Sequence, residues 1–304
     1  MTRILDLPEQ EYLLSGNRAC AGCSLGIGLR AITKALDGKM VMTVPASCLT
    51  VLGGMYPVCS VLVPWINVAF ASTGAAGTGI AAGLRALGRA DGMTVLAMAG
   101  DGGTGDIGIQ ALSGAAERND DFIYLCYDNE AYMNTGTQRS SHTPRGARTS
   151  TTWGGKRENA KDVARIMEAH GIPYVASTSA VYPDDVYDKV AKARGITGLR
   201  YLHMNTPCPP GWGFEPRDTV RVGKLAVQTG LVVLYEVEAG VLRLTGTSRS
   251  LAKSGRRRPL AEFIAAQSRF KGMTADDVAE AQAVVDRRWE YFLARDAQAL
   301  PTLP

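Results

Sequence analysis

Two sets of residues in this chain have types and spacing that could do chemistry. The first is Gly100-Asp101-Gly102-Gly103, followed 28 positions after Asp101 by Asn129 within the run DNEAYMNTG. A diphosphate carries several negative charges, so it needs a hard divalent cation such as Mg2+ and backbone N–H groups that can come close. Asp101 offers a carboxylate, Asn129 a side-chain carbonyl and Ala131 a backbone carbonyl, all oxygen donors of the kind Mg2+ takes. Gly100, Gly102 and Gly103 leave the backbone bare for the phosphates. An isolated Gly-Asp-Gly is most often a tight turn, so the reading rests on Asn129 standing in register. A Walker loop would need Gly-Lys-Ser/Thr at its end, which GDGGTGDIG lacks, and a dinucleotide fingerprint would set Asp101 against the pyrophosphate it must attract.

The second set is cysteine. Cys20-x-x-Cys23 directly precedes LGIGLRAITKAL, whose apolar spacing predicts a helix, so the pair sits at a helix N-terminus where the dipole favours thiolates. Cys48 and Cys208 stand alone further along. A lone Cys-x-x-Cys suits a zinc knuckle or a redox dithiol as well as a cluster. A zinc ribbon would want a second such pair, and a thioredoxin-like site would leave Cys48 and Cys208 without a role. Cys126 lies inside the apolar run FIYLCY and reads as core. Cys59 is a weaker candidate for the place of Cys48.

The elements that must position these residues alternate between short apolar runs and helical patterns. MTVLAMAG (93–100), a helix over 106–118 and FIYLCYDN (122–129) read as a β-α-β unit, which sets Asp101 and Asn129 at the carboxyl ends of parallel strands, where open sheets bind ligands. STGAAGTGIAAGLRAL, with Gly74, Gly77, Gly79 and Gly83, resembles a buried helix that packs closely on a neighbour. The polar stretch 137–157 is too long for an ordinary connection and is a candidate functional loop. A second alternation follows to Met204, and from 259 onward the pattern is a helical tail.

With 304 residues, 46% of them hydrophobic, the chain can bury a full core. A net charge of +4, from 33 basic and 29 acidic residues, is too balanced for a nucleic-acid binder. The N-terminus lacks the apolar core of a signal peptide and no run is long enough for a membrane span, so the expected location is the cytoplasm.

The run GDGGTGDIGIQALSGAAERNDDFIYLCYDNEAYMNTGTQ, with NRACAGCS before it and NTPCPPGW after it, resembles the beta subunit of thiamine-diphosphate-dependent 2-oxoacid:ferredoxin oxidoreductases of the pyruvate type, phenylglyoxylate-type relatives included. Gly-Asp-Gly followed by Asn at this distance is the signature of thiamine-diphosphate enzymes. The resemblance implies an α/β thiamine-diphosphate-binding fold, a mostly parallel sheet with helices on both faces and a C-terminal helical tail. It implies that thiamine diphosphate is held at Gly100, Asp101, Gly102, Gly103, Asn129, Ala131, Asn134 and Thr135, with Asn134 near the thiazolium and the substrate. It makes Cys20, Cys23, Cys48 and Cys208 the ligands of a 4Fe-4S cluster, which soft thiolates suit. The implied reaction is oxidative decarboxylation of a 2-oxoacid with coenzyme A, its electrons passing through the cluster to ferredoxin or through a further subunit to NAD.

The resemblance also implies partners. An alpha subunit would supply the catalytic Glu and much of the substrate pocket, since Glu130 adjoins the metal ligands and points elsewhere; gamma and ferredoxin-like delta subunits would complete the assembly. Asn17, Ser24 and Asn67 stand where the family commonly has His, Gly and His, which leaves the 2-oxoacid open. A non-oxidative thiamine-dependent decarboxylase or synthase and a plain iron-sulfur electron-transfer subunit are the competing readings. Among the three histidines, His142, His170 and His203, His142 follows the cofactor motif and is the one to test, though it reads as a polar side chain on the surface. The expected division is a cofactor domain over 1–240 and a subunit-contacting arm and tail over 241–304. From Arg243 to Lys271 eight basic residues face Glu262 alone, a local +7 that suits a partner or an acidic electron acceptor.

Overall fold

The computed structural model describes residues 2–298; the last part of the expected tail, 299–304, lies outside the described residues. The strands are β1 (Met40–Pro45), β2 (Trp65–Val68), β3 (Thr94–Gly100), β4 (Phe122–Asp128), β5 (Tyr174–Ser179), β6 (Leu199–Asn205), β7 (Tyr235–Glu238) and β8 (Val241–Leu244). They form one sheet in the order β2-β1-β3-β4-β6-β5-β7-β8. The first six in that order run parallel, whereas β7 and β8 add an antiparallel edge. Strand β4 is buried along its whole length, as a parallel strand covered on both faces should be.

The helices are α1 (Leu25–Ala35), α2 (Cys48–Gly53), α3 (Thr73–Ala86), α4 (Ile109–Glu117), α5 (Val163–Ala169), α6 (Pro183–Arg194), α7 (Pro209–Trp212), α8 (Thr219–Gln228), α9 (Gly246–Ser254), α10 (Leu260–Ala265) and α11 (Ala275–Gln298). Alternation along β4 splits the core in two. Ile123, Leu125 and Tyr127 face α1 and α6, meeting Leu29, Ile32, Val186 and Val190. Phe122, Tyr124 and Cys126 face the other way, toward Leu112 of α4, Met167 of α5 and Trp289 of α11. A third cluster, around Trp212, Val222 and Phe263, packs α7, α8 and α10 beside the carboxyl end of the sheet.

Three expectations change. Helix α3 is close-packed only along Gly74 and Gly77, where a Cβ would press on the Ala111 backbone and the Phe122 ring; Gly79 and Gly83 face open space, so the helix is half exposed rather than buried. Residue 240 falls in the turn of the β7–β8 hairpin, so the sheet continues across the division expected there. The +7 segment is not a uniform surface. Arg269 is buried and pairs with Glu130 at 2.6 Å. Arg257 donates to Asp286 at 2.5 Å and stacks on Trp289, and Arg258 pairs with Glu262. Acids distant in sequence neutralise part of what the local count leaves charged. No helix among the described residues is long and apolar enough to cross a membrane.

Candidate active site

The carboxyl ends of β1, β3, β4 and β6, four neighbours in the sheet, deliver both sets of chemistry-bearing residues. Cys48 opens α2 after β1, Asp101 follows β3, Asn129 follows β4 and Cys208 follows β6. The side-chain oxygen of Asn129 lies 3.0 Å from Asp101 Oδ1 and 2.9 Å from the Ala131 carbonyl. Turning the amide over would let Nδ2 donate to both, and such an orientation is settled by the surroundings rather than by the shape of the group. With the oxygen inward, three acceptors converge at the spacing of neighbouring ligands around Mg2+, whose bond lengths of ~2.1 Å set adjacent oxygens about 2.9 Å apart. The donor set fits Mg2+. Asp101 is buried, and burial followed by the charge of Asp128 pushes its carboxyl well above the usual carboxylate range. A divalent cation would relieve that penalty.

The backbone after Asp101 is a buried π-helical turn, Gly102–Asp106, tighter than the open loop the glycines suggested. A side chain on Gly102 would collide with the Tyr132 ring, and one on Gly108 with the Gly103 carbonyl, so the turn cannot form with larger residues there. Tyr132 donates to Asp106 at 2.6 Å and holds the far end. The stretch 137–157 folds over this turn, with Ser140 donating to Asp101 at 2.5 Å and Thr143 to the Glu130 carbonyl at 2.7 Å. Lys156 caps it from below through the carbonyls of Ser141 and Thr143, at 2.8 and 2.7 Å; burial brings its ammonium down to about 8.

Cys20, Cys23, Cys48 and Cys208 gather on one side of these strand ends. The Cys20–Cys23 loop is pinned to the Cys208 loop by Ser24, which donates to the Pro207 carbonyl at 2.8 Å, and by Thr219, which donates to the Gly22 carbonyl at 2.7 Å. Burial pushes Cys48 and Cys208 up to about 12, and the other thiols of the group add to it by mutual repulsion. The amides of Leu25 and Gly26 do act on Cys23 as a helix N-terminus should, yet burial outweighs them and its thiol is also raised. The helix dipole alone therefore does not yield the thiolate expected there. Three half-enclosed sulfurs, Cys23, Cys48 and Cys208, with the exposed Cys20 beside them, fit a shared cationic iron centre better than separate redox roles. Cys59 stands apart, accepting from Trp65 Nε1 at 3.2 Å, and Cys126 is fully buried in the core.

Comparison with known proteins decides the family. Residues 48–204 match the thiamine pyrophosphate enzyme C-terminal TPP-binding domain. The pyruvate synthase subunit PorB of Methanothermobacter marburgensis is 46% identical over 287 residues, covering 93% of this chain and 97% of that one. The ketoisovalerate oxidoreductase subunit VorB of Pyrococcus horikoshii is 43% identical over 295 residues, covering 94% of each. The chain belongs to the thiamine-diphosphate-binding PorB/VorB subunits of 2-oxoacid:ferredoxin oxidoreductases. The same fold is seen in the 2-oxoglutarate:ferredoxin oxidoreductase of Magnetococcus marinus, with a TM-score of 0.57 at 24% identity over 67% of this chain and 69% of that one.

Within this PorB/VorB-type chain, Asn134 and Thr135 lie in an exposed turn beyond Ala131, Thr135 donating to Gln138 Oε1 at 2.6 Å. Glu130 points away from the oxygen site, as expected: it adopts φ +68, a left-handed conformation a side chain rarely takes, held by Asp128 accepting from its N–H at 2.8 Å. Its partner Arg269 lies over the Trp212 ring at 4.0 Å, and Trp212 donates to the Asn129 carbonyl at 2.8 Å. Sequence reasoning passed over Ser140 and Trp212 and counted Arg269 only as part of the basic segment; the contacts that bring them to the site, with Asp101, Asn129 and Glu130, are long-range. It also placed His142 on the surface; the residue is 3% exposed, its ring reaching from the folded loop against Gly105.

Proposed function

We propose that this chain, as a PorB/VorB-type subunit, binds thiamine diphosphate through Mg2+ at Asp101, Asn129 and Ala131 and carries a 4Fe-4S cluster on Cys20, Cys23, Cys48 and Cys208. The convergence of the Asp101, Asn129 and Ala131 oxygens, with the Asn129 amide oxygen inward, next to Cys48 and Cys208 at strand ends and a Cys20–Cys23 loop pinned to the Cys208 loop, is the observation that carries the reading. When bound, the cofactor supplies the carbanion-stabilising chemistry by which a 2-oxoacid loses CO2, and the cluster accepts the electrons one at a time.

This chain's own residues do the holding. Asp101, Asn129 and the Ala131 carbonyl fix the cation, the turn Gly102–Asp106 offers a bare backbone to the diphosphate, and Ser140 and Trp212 lock Asp101 and Asn129 in place. Asn134 and Thr135 border the thiazolium and substrate side. An alpha subunit contributes the catalytic Glu and closes the pocket; gamma and ferredoxin-like delta subunits, with ferredoxin or an NAD-reducing subunit, carry the electrons onward. Exposed Met55, Tyr56 and Val58 just before β2, and Ile66 within it, support burial against such a partner. The overall reaction converts a 2-oxoacid and coenzyme A to acyl-CoA and CO2. Pyruvate and branched 2-oxoacids lead the substrate class because the relatives are named for them, and aromatic ones such as phenylglyoxylate remain within it. The test is anaerobic reduction of a viologen dye by the co-purified complex with each 2-oxoacid in turn. Dye reduction that needs both the 2-oxoacid and coenzyme A is the expected result. Carbon dioxide release without dye reduction would mark a non-oxidative decarboxylase instead.

A further inference from the structure

A second group of potential ligands lies on the opposite pleat of β4 from Tyr127. Asp128 continues the side of Tyr124 and Cys126, and it meets His203 of β6 and His142 of the folded loop. One ring nitrogen from each histidine and one Asp128 oxygen lie within 4.8 Å of one another. The rings stack with centroids 5.5 Å apart and planes 25° apart. Each ligand atom is aimed by a partner on its far side. His203 Nδ1 lies 3.0 Å from the Tyr201 hydroxyl, His142 Nδ1 lies 3.3 Å from the Ser141 hydroxyl, and Asp128 Oδ1 accepts from the Glu130 N–H at 2.8 Å. This is the arrangement by which metal-ligating imidazoles and carboxylates are usually oriented.

The hydrogen bonding of the group is incomplete as it stands. His203 Nε2 and Asp128 Oδ2 share a proton at 2.9 Å, while His142 Nε2 is buried with no hydrogen-bond partner. A buried nitrogen in that state is costly. A cation taking the place of the shared proton would satisfy all three atoms at once.

We propose that Asp128, His142 and His203 bind a divalent transition-metal ion of the zinc class, separate from the Mg2+ that holds the diphosphate. Two imidazoles and one carboxylate are the donor set of zinc and its neighbours rather than of Mg2+. The His203 proton then resides on Nδ1 and is donated to Tyr201, which frees Nε2 for the metal. All three ligands also line a cavity of about 510 Å3, together with Lys161, Arg165 and Arg288. The remaining coordination position therefore opens to water. Because the His142 ring rests against Gly105, an ion here would brace the diphosphate turn from behind, joining the end of β4, the folded loop and β6.

The test uses the purified protein with whatever subunits accompany it, its iron loaded, dialysed against micromolar ZnCl2 and then against metal-free buffer. The expected result is one retained zinc per chain whose X-ray absorption shows nitrogen and oxygen neighbours with imidazole scattering and no sulfur. His142→Gln and His203→Gln should each lose that zinc with iron content unchanged. A sulfur shell would place the zinc on the cysteines and overturn the proposal, as would retention of no zinc by the wild-type protein or full retention in both variants. The absorption measurement needs no variant, so misfolding of a substituted chain cannot shield the idea.

Discussion

Two buried polar clusters of this molecule are built on opposite principles. Around Lys189 and Asp185, both nearly inaccessible to solvent, each charged atom meets a complement. The ammonium donates to Asp185 and Thr245 at 2.8 Å and to the Ser177 carbonyl at 2.7 Å, and Thr178 donates to Asp185 at 2.6 Å. Around Asp101 and Asn129, the amide either donates to Asp101 and the Ala131 carbonyl or, turned over, sets its oxygen beside theirs, and next to them burial and the neighbouring thiols raise Cys48 and Cys208. Buried polar groups are ordinarily paired. The first cluster obeys that rule in a single arrangement and ties α6 to β5 and α9; the second can close on itself through the Asn129 amide or, with that amide oxygen turned inward, open to a cation. Closed polarity marks architecture here, and open polarity marks the site.

The largest test of that contrast is Asp101→Ala. Removing the only carboxylate of the oxygen set should weaken retention of thiamine diphosphate by more than about a hundredfold, beyond the loss typical of outer-shell changes around a metal. Cofactor content after gel filtration reads this out, and wild-type content would erase the distinction between the clusters. The thiols come next. Replacing Cys20, Cys23, Cys48 or Cys208 by Ala should drop iron well below that of the parent, whereas Cys59→Ala and Cys126→Ala should keep it, with a modest packing loss for the latter. Iron lost from Cys59→Ala and kept in Cys48→Ala would move the third ligand.

The closed cluster should respond in stability instead. Lys189→Met leaves Asp185 buried without a counter-charge, which costs about 3–5 kcal/mol. Denaturant melts should show this loss while cofactor and iron per folded chain stay as in the parent.

A partly exposed ion pair gives the smallest effect and sets the scale. Glu11 accepts from Arg30 at 2.9 Å and lies 2.9 Å from Lys34, and the Arg30 hydrogen bond leads in holding its carboxyl down to about 2. Its contribution is present above the unfolded carboxyl value near 4.5 and is lost as pH falls from there toward about 2. With a side chain 36% exposed, solvent screening keeps the benefit to no more than about 1 kcal/mol. Glu11→Gln should therefore be slightly less stable than the parent at neutral pH, with the gap closing in acid. A constant gap down to pH 2 would mean that packing, not charge, is what Glu11 provides.

The open cluster was the more legible one in the sequence. Gly-Asp-Gly, Asn129 and the cysteines announce themselves by type, and the apolar runs on either side fix them to adjacent strand ends. Asp185 and Lys189 look like any helical i,i+4 pair, and only packing reveals that they are buried. The β7–β8 hairpin was missed for a local reason: YEVEAGVLRL does alternate, and Ala239 and Gly240 take the left-handed turn, at φ +48 and +79, that joins such strands. Arg269 and His142 were assigned to the surface because charge and polarity were counted along the chain. Their burial depends on Glu130 and Gly105, far away in sequence.

The claim that those facing oxygens await a metal-bound diphosphate is tested most directly by replacing Mg2+ with Mn2+ and recording pulsed electron paramagnetic resonance of the complex with thiamine diphosphate. Bound Mn2+ coupled to phosphorus in the wild-type protein, and no bound Mn2+ in Asp101→Ala, is the predicted result. Mn2+ without phosphorus coupling, or with the same coupling after Asp101 is removed, would contradict it.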